Sequence, residues 1–221
     1  MKAPVLVVFD LAGTTVEDRG QVSAAFAAAL AAHGITVSPD QIDRVRGASK
    51  RQAILQLAPP GPRQAEDAAR IYASFRGELA GRYATDGVRP IAGADDAMAA
   101  LRARGIRVAL TTGFDRETTG LLLTRLGWLD GIADTIVCGD DVAQGRPAPD
   151  LILRAMHNLG VASPVAVASV GDTTLDLEAG ARAGVGWNVG VLSGAHRRDA
   201  MARAPHTHLI ASVADLLKVW T

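Results

Sequence analysis

Cysteine is nearly absent from this chain of 221 residues: Cys138 stands alone. One thiol excludes an internal disulfide framework and a zinc site built from several cysteines. Net charge is absent too, because 23 Lys and Arg balance 23 Asp and Glu. Nucleic acid and anionic membranes select basic surfaces, so neither is expected as a partner, although a small cationic pocket stays open. No apolar run reaches the ~18 residues of a membrane helix, and the stretch before Asp10 is too short for a secretory leader. Internal repeats, low-complexity tracts and a Gly-rich nucleotide loop are missing as well. What is there, 48% hydrophobic and 21% charged residues, suffices to bury a substantial core. The expectation is a soluble, cytoplasmic α/β protein: one domain, or one domain with a sizeable insert.

Short apolar runs alternate with helical segments. Val5–Phe9 reads as a strand buried on both faces, and 106–110, 133–137, 165–170 and 186–190 look similar. Helices are predicted between them, at about 94–104, 116–127, 149–159 and 174–183. Such alternation implies a doubly wound parallel sheet, whose ligands bind beyond the carboxyl ends of the strands. The stretch 17–89 breaks the pattern and reads as helices only, at 22–33, 39–46, 50–57 and 63–83. The predicted division is therefore a catalytic core from 1–16 and 90–221, with a helical cap at 17–89 over the carboxyl edge of the sheet. His206 and His208 flank Thr207 as one face of an edge strand, and His196 is isolated. Cys138 reads as a buried small hydrophobe.

The strand ends carry the chemistry. Strand one runs into Asp10-Leu11-Ala12-Gly13-Thr14-Thr15, and strand two into Thr111-Thr112-Gly113. Gly145-Arg146-Pro147 follows strand three, and Gly171-Asp172-Thr173-Thr174-Leu175-Asp176 closes strand four. Each alone has a bland explanation as a cap, a turn or a solvated charge. Together they supply a carboxylate, a hydroxyl, a guanidinium and a carboxylate pair, which can grip a divalent cation and a phosphoryl group.

The order Asp10, Thr112, Arg146, Asp172/Asp176 resembles the four motifs of the haloacid dehalogenase-like hydrolases, over nearly the whole chain. Within that superfamily, Asp-x-Ala-Gly-Thr-Thr, an Arg in the third motif and Gly-Asp-Thr-x-x-Asp are similar to the phosphonatases, the phosphonoacetaldehyde hydrolases and their relatives. Gly47-Ala48-Ser49-Lys50 matches the Gly-x-x-Lys of their caps, whose lysine forms a Schiff base with the substrate aldehyde. The resemblance implies Asp10 as nucleophile and Lys50 as the imine-forming amine. It further implies Mg²⁺ held by Asp10, the Ala12 carbonyl and Asp172, with Asp176 as an outer or water-mediated ligand. Thr112, Gly113 and Arg146 would hold the phosphoryl oxygens, and Gly13 would let the backbone approach them. Thr14 and Thr15 are weaker candidates.

Position 12 separates the activities. Ordinary phosphatases of the superfamily place an acid there for the leaving alcohol, and Ala12 transfers no proton. Cleaving a C–P bond needs an electron sink for the departing carbon instead, which a protonated imine provides. Lys50 must then be partly neutral. Ser49-Lys50-Arg51-Gln52 reads as a capping box that places Lys50 in a first helical turn, where the dipole, Arg46 and Arg51 all lower an ammonium pKa. Three positions depart from the phosphonatase pattern: Arg46 replaces Met, Ala53 replaces His and Phe114 replaces Tyr. The last two remove proton carriers, and Arg46 could bind an extra anionic group such as a carboxylate. The expected partner is a small organophosphonate or phosphate ester, and a homodimer is compatible with the sequence. The rival readings are an Mg²⁺-dependent phosphomonoesterase, a 2-haloacid dehalogenase and a silent phosphate-binding module. The first must work without an acid at position 12. The second needs no Asp172/Asp176 pair, and the third leaves Asp10, Arg146 and Asp172 without purpose.

Overall fold

The computed structural model describes residues 3–220; Met1, Lys2 and Thr221, which the predicted core boundaries included, lie outside the described residues. Strand β1 (Leu6–Asp10) is buried along its length. Its side chains alternate, with Val7 and Phe9 in one hydrophobic cluster and Leu6 and Val8 in another, so β1 packs on both faces. The chain then forms four helices, α1 (Gln21–Ala32), α2 (Pro39–Arg44), α3 (Lys50–Leu57) and α4 (Gln64–Asp86). It continues through α5 (Ala94–Ala103), β2 (Arg107–Thr111), α6 (Arg116–Leu126), β3 (Thr135–Val137), α7 (Asp150–Asn158), β4 (Val167–Gly171), α8 (Thr174–Ala183), β5 (Trp187–Val191), α9 (Arg198–Met201) and β6 (His208–Ile210).

The six strands form one parallel sheet in the order β3-β2-β1-β4-β5-β6. The order reverses at β1, so the crevice beyond the carboxyl ends of β1 and β4 is the topological switch point where such folds bind ligands. Two expected strands begin two residues later than their apolar runs. Pro164–Ala166 forms a 3-10 turn before β4. On the edge strand, the backbone N–H of Asp134 donates to the Val108 carbonyl at 2.7 Å and its carboxylate accepts from the Val108 N–H at 2.8 Å. Pairing there is made partly through a side chain, and β3 shortens to three residues.

The helical insert leaves and returns through adjoining segments. The Glu17 N–H donates to the Arg89 carbonyl at 3.0 Å and the Ile91 N–H to the Thr15 carbonyl at 2.9 Å, while Val16 bridges Pro90. Inside the insert, α1 packs on α4 through Phe26 and Phe75, whose ring centroids lie 4.6 Å apart in a tilted pair. α4 stops where Gly87 takes a left-handed φ of 73°. No helix among the described residues is long and apolar enough to cross a membrane.

Candidate active site

Asp10 is the last residue of β1, and burial dominates its environment. The Arg146 guanidinium reaches Asp10 Oδ1 from Nη1 at 2.7 Å and Asp176 Oδ1 from Nε at 2.7 Å. Its Nη2 donates to Thr111 Oγ1 at 2.7 Å. Arg146 is thus held at three points with its side chain only 4% exposed. Such a buried triad is tolerable only because nearly every donor of the guanidinium fork has an acceptor.

Asp172, just past β4, is held just as closely. Thr14 Oγ1 donates to its Oδ1 at 3.1 Å and the Ala195 N–H to its Oδ2 at 2.7 Å. Room for this carboxylate is made by Gly13, where φ is 94° and a Cβ would stand 2.2 Å from Asp172 Oδ2. Gly13 therefore accommodates Asp172, a contact the expected approach to a phosphoryl group did not include.

Lys50 opens α3 and is buried. Its backbone N–H donates to the Gly113 carbonyl at 3.0 Å, its Nζ donates to the Ala48 carbonyl at 3.3 Å, and Nζ lies 5.0 Å from the centroid of the Phe114 ring. Gly113 is needed here, because a Cβ on it would stand 2.3 Å from the Ala48 carbonyl oxygen. The expected capping box at Ser49 does not form. Gln52 Oε1 instead accepts from the Gly145 N–H at 3.2 Å, across the seam between insert and sheet. Arg51 also turns away, with its guanidinium 4.6 Å from the Tyr72 ring centroid. The expected causes of a perturbed lysine are corrected accordingly. Burial pushes the Lys50 ammonium below the usual lysine range, Asp10 opposes this, and Arg146, rather than Arg46 or Arg51, adds to it.

Seven of the nine predicted site residues wall one enclosed cavity: Asp10, Ala12, Lys50, Thr112, Gly113, Arg146 and Asp172. The remaining two, Gly13 and Asp176, do not line it. Asp176 caps α8 through a box with Thr173, accepting from the Thr173 N–H at 3.1 Å, and anchors Arg146. Its contact with Arg146 is a positioning one, beside the expected outer or water-mediated role towards a metal. Thr112 Oγ1 accepts from the Phe114 N–H at 3.2 Å, and it is Thr111 that touches Arg146. Sequence reasoning passed over Thr111, Ala195 and the cavity-lining Asp18 and Ser23. Ala195 follows the end of β5, a fifth strand end whose contribution is a backbone N–H and so leaves no side-chain signature. His196 is not isolated: its Nδ1 accepts from the Thr174 N–H at 3.0 Å, at the start of α8.

The electrostatics suit a hard cation. Burial raises Asp10 to about 6, with Asp176 adding and Arg146 opposing. Burial raises Asp172 to about 8, reinforced by Asp10 and Asp176. Two desolvated carboxylates that resist ionising in one cavity, with Ala12 in the same wall, offer oxygen donors whose charge a divalent cation would offset.

A model of the haloacid dehalogenase-like hydrolase family matches residues 5–184. A phosphonoacetaldehyde hydrolase of Latilactobacillus sakei subsp. sakei is 32% identical over 81% of this chain and 72% of its own. The enzyme of that name from Paraburkholderia phytofirmans is 30% identical over 99% of this chain and 95% of its own. Among solved structures, a hydrolase from Pseudomonas syringae superposes with a TM-score of 0.86 at 26% identity, covering 97% of this chain and 96% of that one.

Proposed function

The chain belongs to the haloacid dehalogenase-like hydrolases, and from that premise we propose that it cleaves the C–P bond of a 2-oxoalkylphosphonate, phosphonoacetaldehyde or a relative. One observation carries the proposal: the buried amine of Lys50 shares a cavity with Asp10, while Ala12 stands where a proton donor for an alcohol would be needed. The names of the relatives point the same way.

The cavity holds about 40 Å³, room for a few waters. A phosphonate must therefore be admitted with the helical insert swung away and enclosed when it returns. Lys50 Nζ, whose ammonium is pushed by burial below the usual lysine range, adds as the free amine to the carbonyl carbon; water leaves and a protonated imine remains. An Asp10 oxygen attacks phosphorus in line as the C–P bond breaks, and the bonding pair moves into the imine to give an enamine. Arg146 trades an Asp10 oxygen for phosphoryl oxygens, steadied by Asp176 and Thr111, while Thr112 and Gly113 supply further donors. Water then hydrolyses the aspartyl-phosphate. The enamine takes a proton at carbon, and hydrolysis of the resulting imine returns Lys50. Mg²⁺, held by Asp10, the Ala12 carbonyl and Asp172, would neutralise phosphoryl charge when bound.

Lys50→Arg tests the proposal. A guanidinium keeps the charge and cannot form an imine, so C–P cleavage and borohydride trapping on the Lys50 peptide should both vanish. An active Lys50→Arg protein on phosphate esters, with no trapped adduct in the wild type, would favour the Mg²⁺-dependent phosphomonoesterase.

A further inference from the structure

We propose that Arg46 selects a substrate whose carbonyl carbon bears a carboxylate, making it a 3-phosphono-2-oxo acid in place of an aldehyde; this rests on the Schiff-base reading above. Arg46 sits in the turn before Gly47 and lines the same cavity as Lys50 and Asp10. Its Nη2 donates to Ser23 Oγ at 2.6 Å, and its Nε faces Asp43 Oδ1 at 3.3 Å. The Asp43 side chain is 60% exposed against 25% for Arg46. A carboxylate so solvated compensates a neighbouring charge weakly. Among the described residues no acceptor engages Nη1, which leaves its N–H donors for a carboxylate. Ser23 lines the cavity beside it and can add a hydroxyl donor.

The remaining walls on this side fit the same ligand. Val22, Phe26 and Ile42 are apolar and suit a short carbon chain. Asp18 also lines the cavity; its Oδ1 accepts from the N–H groups of Gly20 and Val22, which fixes the carboxylate without removing its charge. The cavity therefore presents one guanidinium beside Asp10 for the phosphonate and a second beside Ser23 for another anion, with an amine in the same walls. The hydrogen of an aldehyde gives Arg46 nothing to bind. A ketone bearing a carboxylate satisfies both guanidinium groups.

The chemistry balances. Lys50 condenses with the C2 ketone and releases one water. The C–P bond breaks as phosphorus passes to Asp10 and the electron pair enters the imine. Two waters then hydrolyse the acyl phosphate and, after protonation at C3, the imine. One water is consumed overall, giving phosphate and a simple 2-oxo acid.

The test compares phosphonopyruvate with phosphonoacetaldehyde on the full chain with Mg²⁺, by phosphate release and borohydride trapping. The expected kcat/KM ratio favours phosphonopyruvate by about 10- to 100-fold, the span of one hydrogen-bonded charge pair. Arg46→Met should collapse that ratio by a similar factor, mainly through KM. If Arg46→Met does not fold, Ser23→Ala should lower the same ratio. In the wild type, 3-phosphonopropanoate should inhibit about tenfold more tightly than ethylphosphonate, by the same reasoning. Turnover and trapping with phosphonoacetaldehyde alone, or equal inhibition by the two analogues, would overturn the assignment of Arg46. Absence of a Lys50 adduct with either carbonyl compound would overturn the Schiff-base reading and this inference together.

Discussion

Asp176→Asn isolates the contact that positions Arg146. In the wild type, both side chains are 4% exposed and the Nε to Oδ1 distance is 2.7 Å. An asparagine can still cap α8 through its carbonyl oxygen, so the helix start survives. Its amide NH₂ then faces the Arg146 Nε–H, donor against donor, and the buried guanidinium keeps only Asp10 as a charged partner. Breaking a buried pair by removing one partner costs about 3–5 kcal/mol. Because Arg146 retains Asp10 and Thr111, the lower end of about 3 kcal/mol is expected. For a chain of this length, that lowers Tm by about 6–12 °C. Urea denaturation should show the midpoint falling with the slope unchanged. Glu178→Gln serves as a contrast, since the Glu178–Arg182 pair is 3.4 Å apart with side chains 37% and 54% exposed. That loss should stay within about 0.5 kcal/mol. If Asp176→Asn melts within about 2 °C of wild type, the buried pair does not hold the site together and the positioning argument fails.

Asp10→Asn should lower phosphate release by about three orders of magnitude or more while the fold persists, since an amide is no nucleophile; full activity with excess chelator would contradict the hard-cation site. Gly113→Ala places a Cβ 2.3 Å from the Ala48 carbonyl and should obstruct closure, lowering kcat about a hundredfold with little change in Tm. Metal-free protein should lose stability as pH rises from about 4 to about 8. Asp10 and Asp172 are raised to about 6 and about 8, so the folded state binds more protons than the unfolded chain in that window. Thermal melts with and without Mg²⁺ check this, and Mg²⁺ should stabilise more at pH 8 than at pH 5.

Side chains at strand ends were legible in the sequence; contacts made by backbone, and the side to which a side chain turns, were not. Asp10, Thr112, Arg146 and Asp172 could be picked out because a polar residue directly after a buried apolar run needs a reason. Two occurrences of one motif show the limit. Thr173 and Asp176 form a capping box, as their spacing allows. Ser49 and Gln52 have the same spacing and do not, because Gln52 finds the Gly145 N–H across the seam and tertiary pairing overrides the local preference. Thr111 and Thr112 are neighbours whose side chains diverge, and nothing in the sequence fixes which one meets Arg146.

The placement of Lys50 ties chemistry to closure. Its ammonium is depressed chiefly by burial, and that burial exists because α3 docks on the turn after β2, with the Lys50 N–H on the Gly113 carbonyl and the amine beside the Phe114 ring. Swinging the insert away would return Nζ to water and restore an ordinary, protonated lysine. On the proposed mechanism, closing would release a proton, so higher pH would favour the closed form, and the amine would become nucleophilic where water is excluded. The turn that buries Lys50 also carries Thr112 and Gly113, the proposed donors to the phosphoryl group. A substrate bound at that turn thus acts on the surface against which the insert closes. On these grounds, the rate of trapping at Lys50 should rise with pH and level off below the ordinary lysine range. In Gly113→Ala, where docking is obstructed, the plateau should move towards that range; an unchanged pH profile would mean that the amine owes its neutrality to something other than closure.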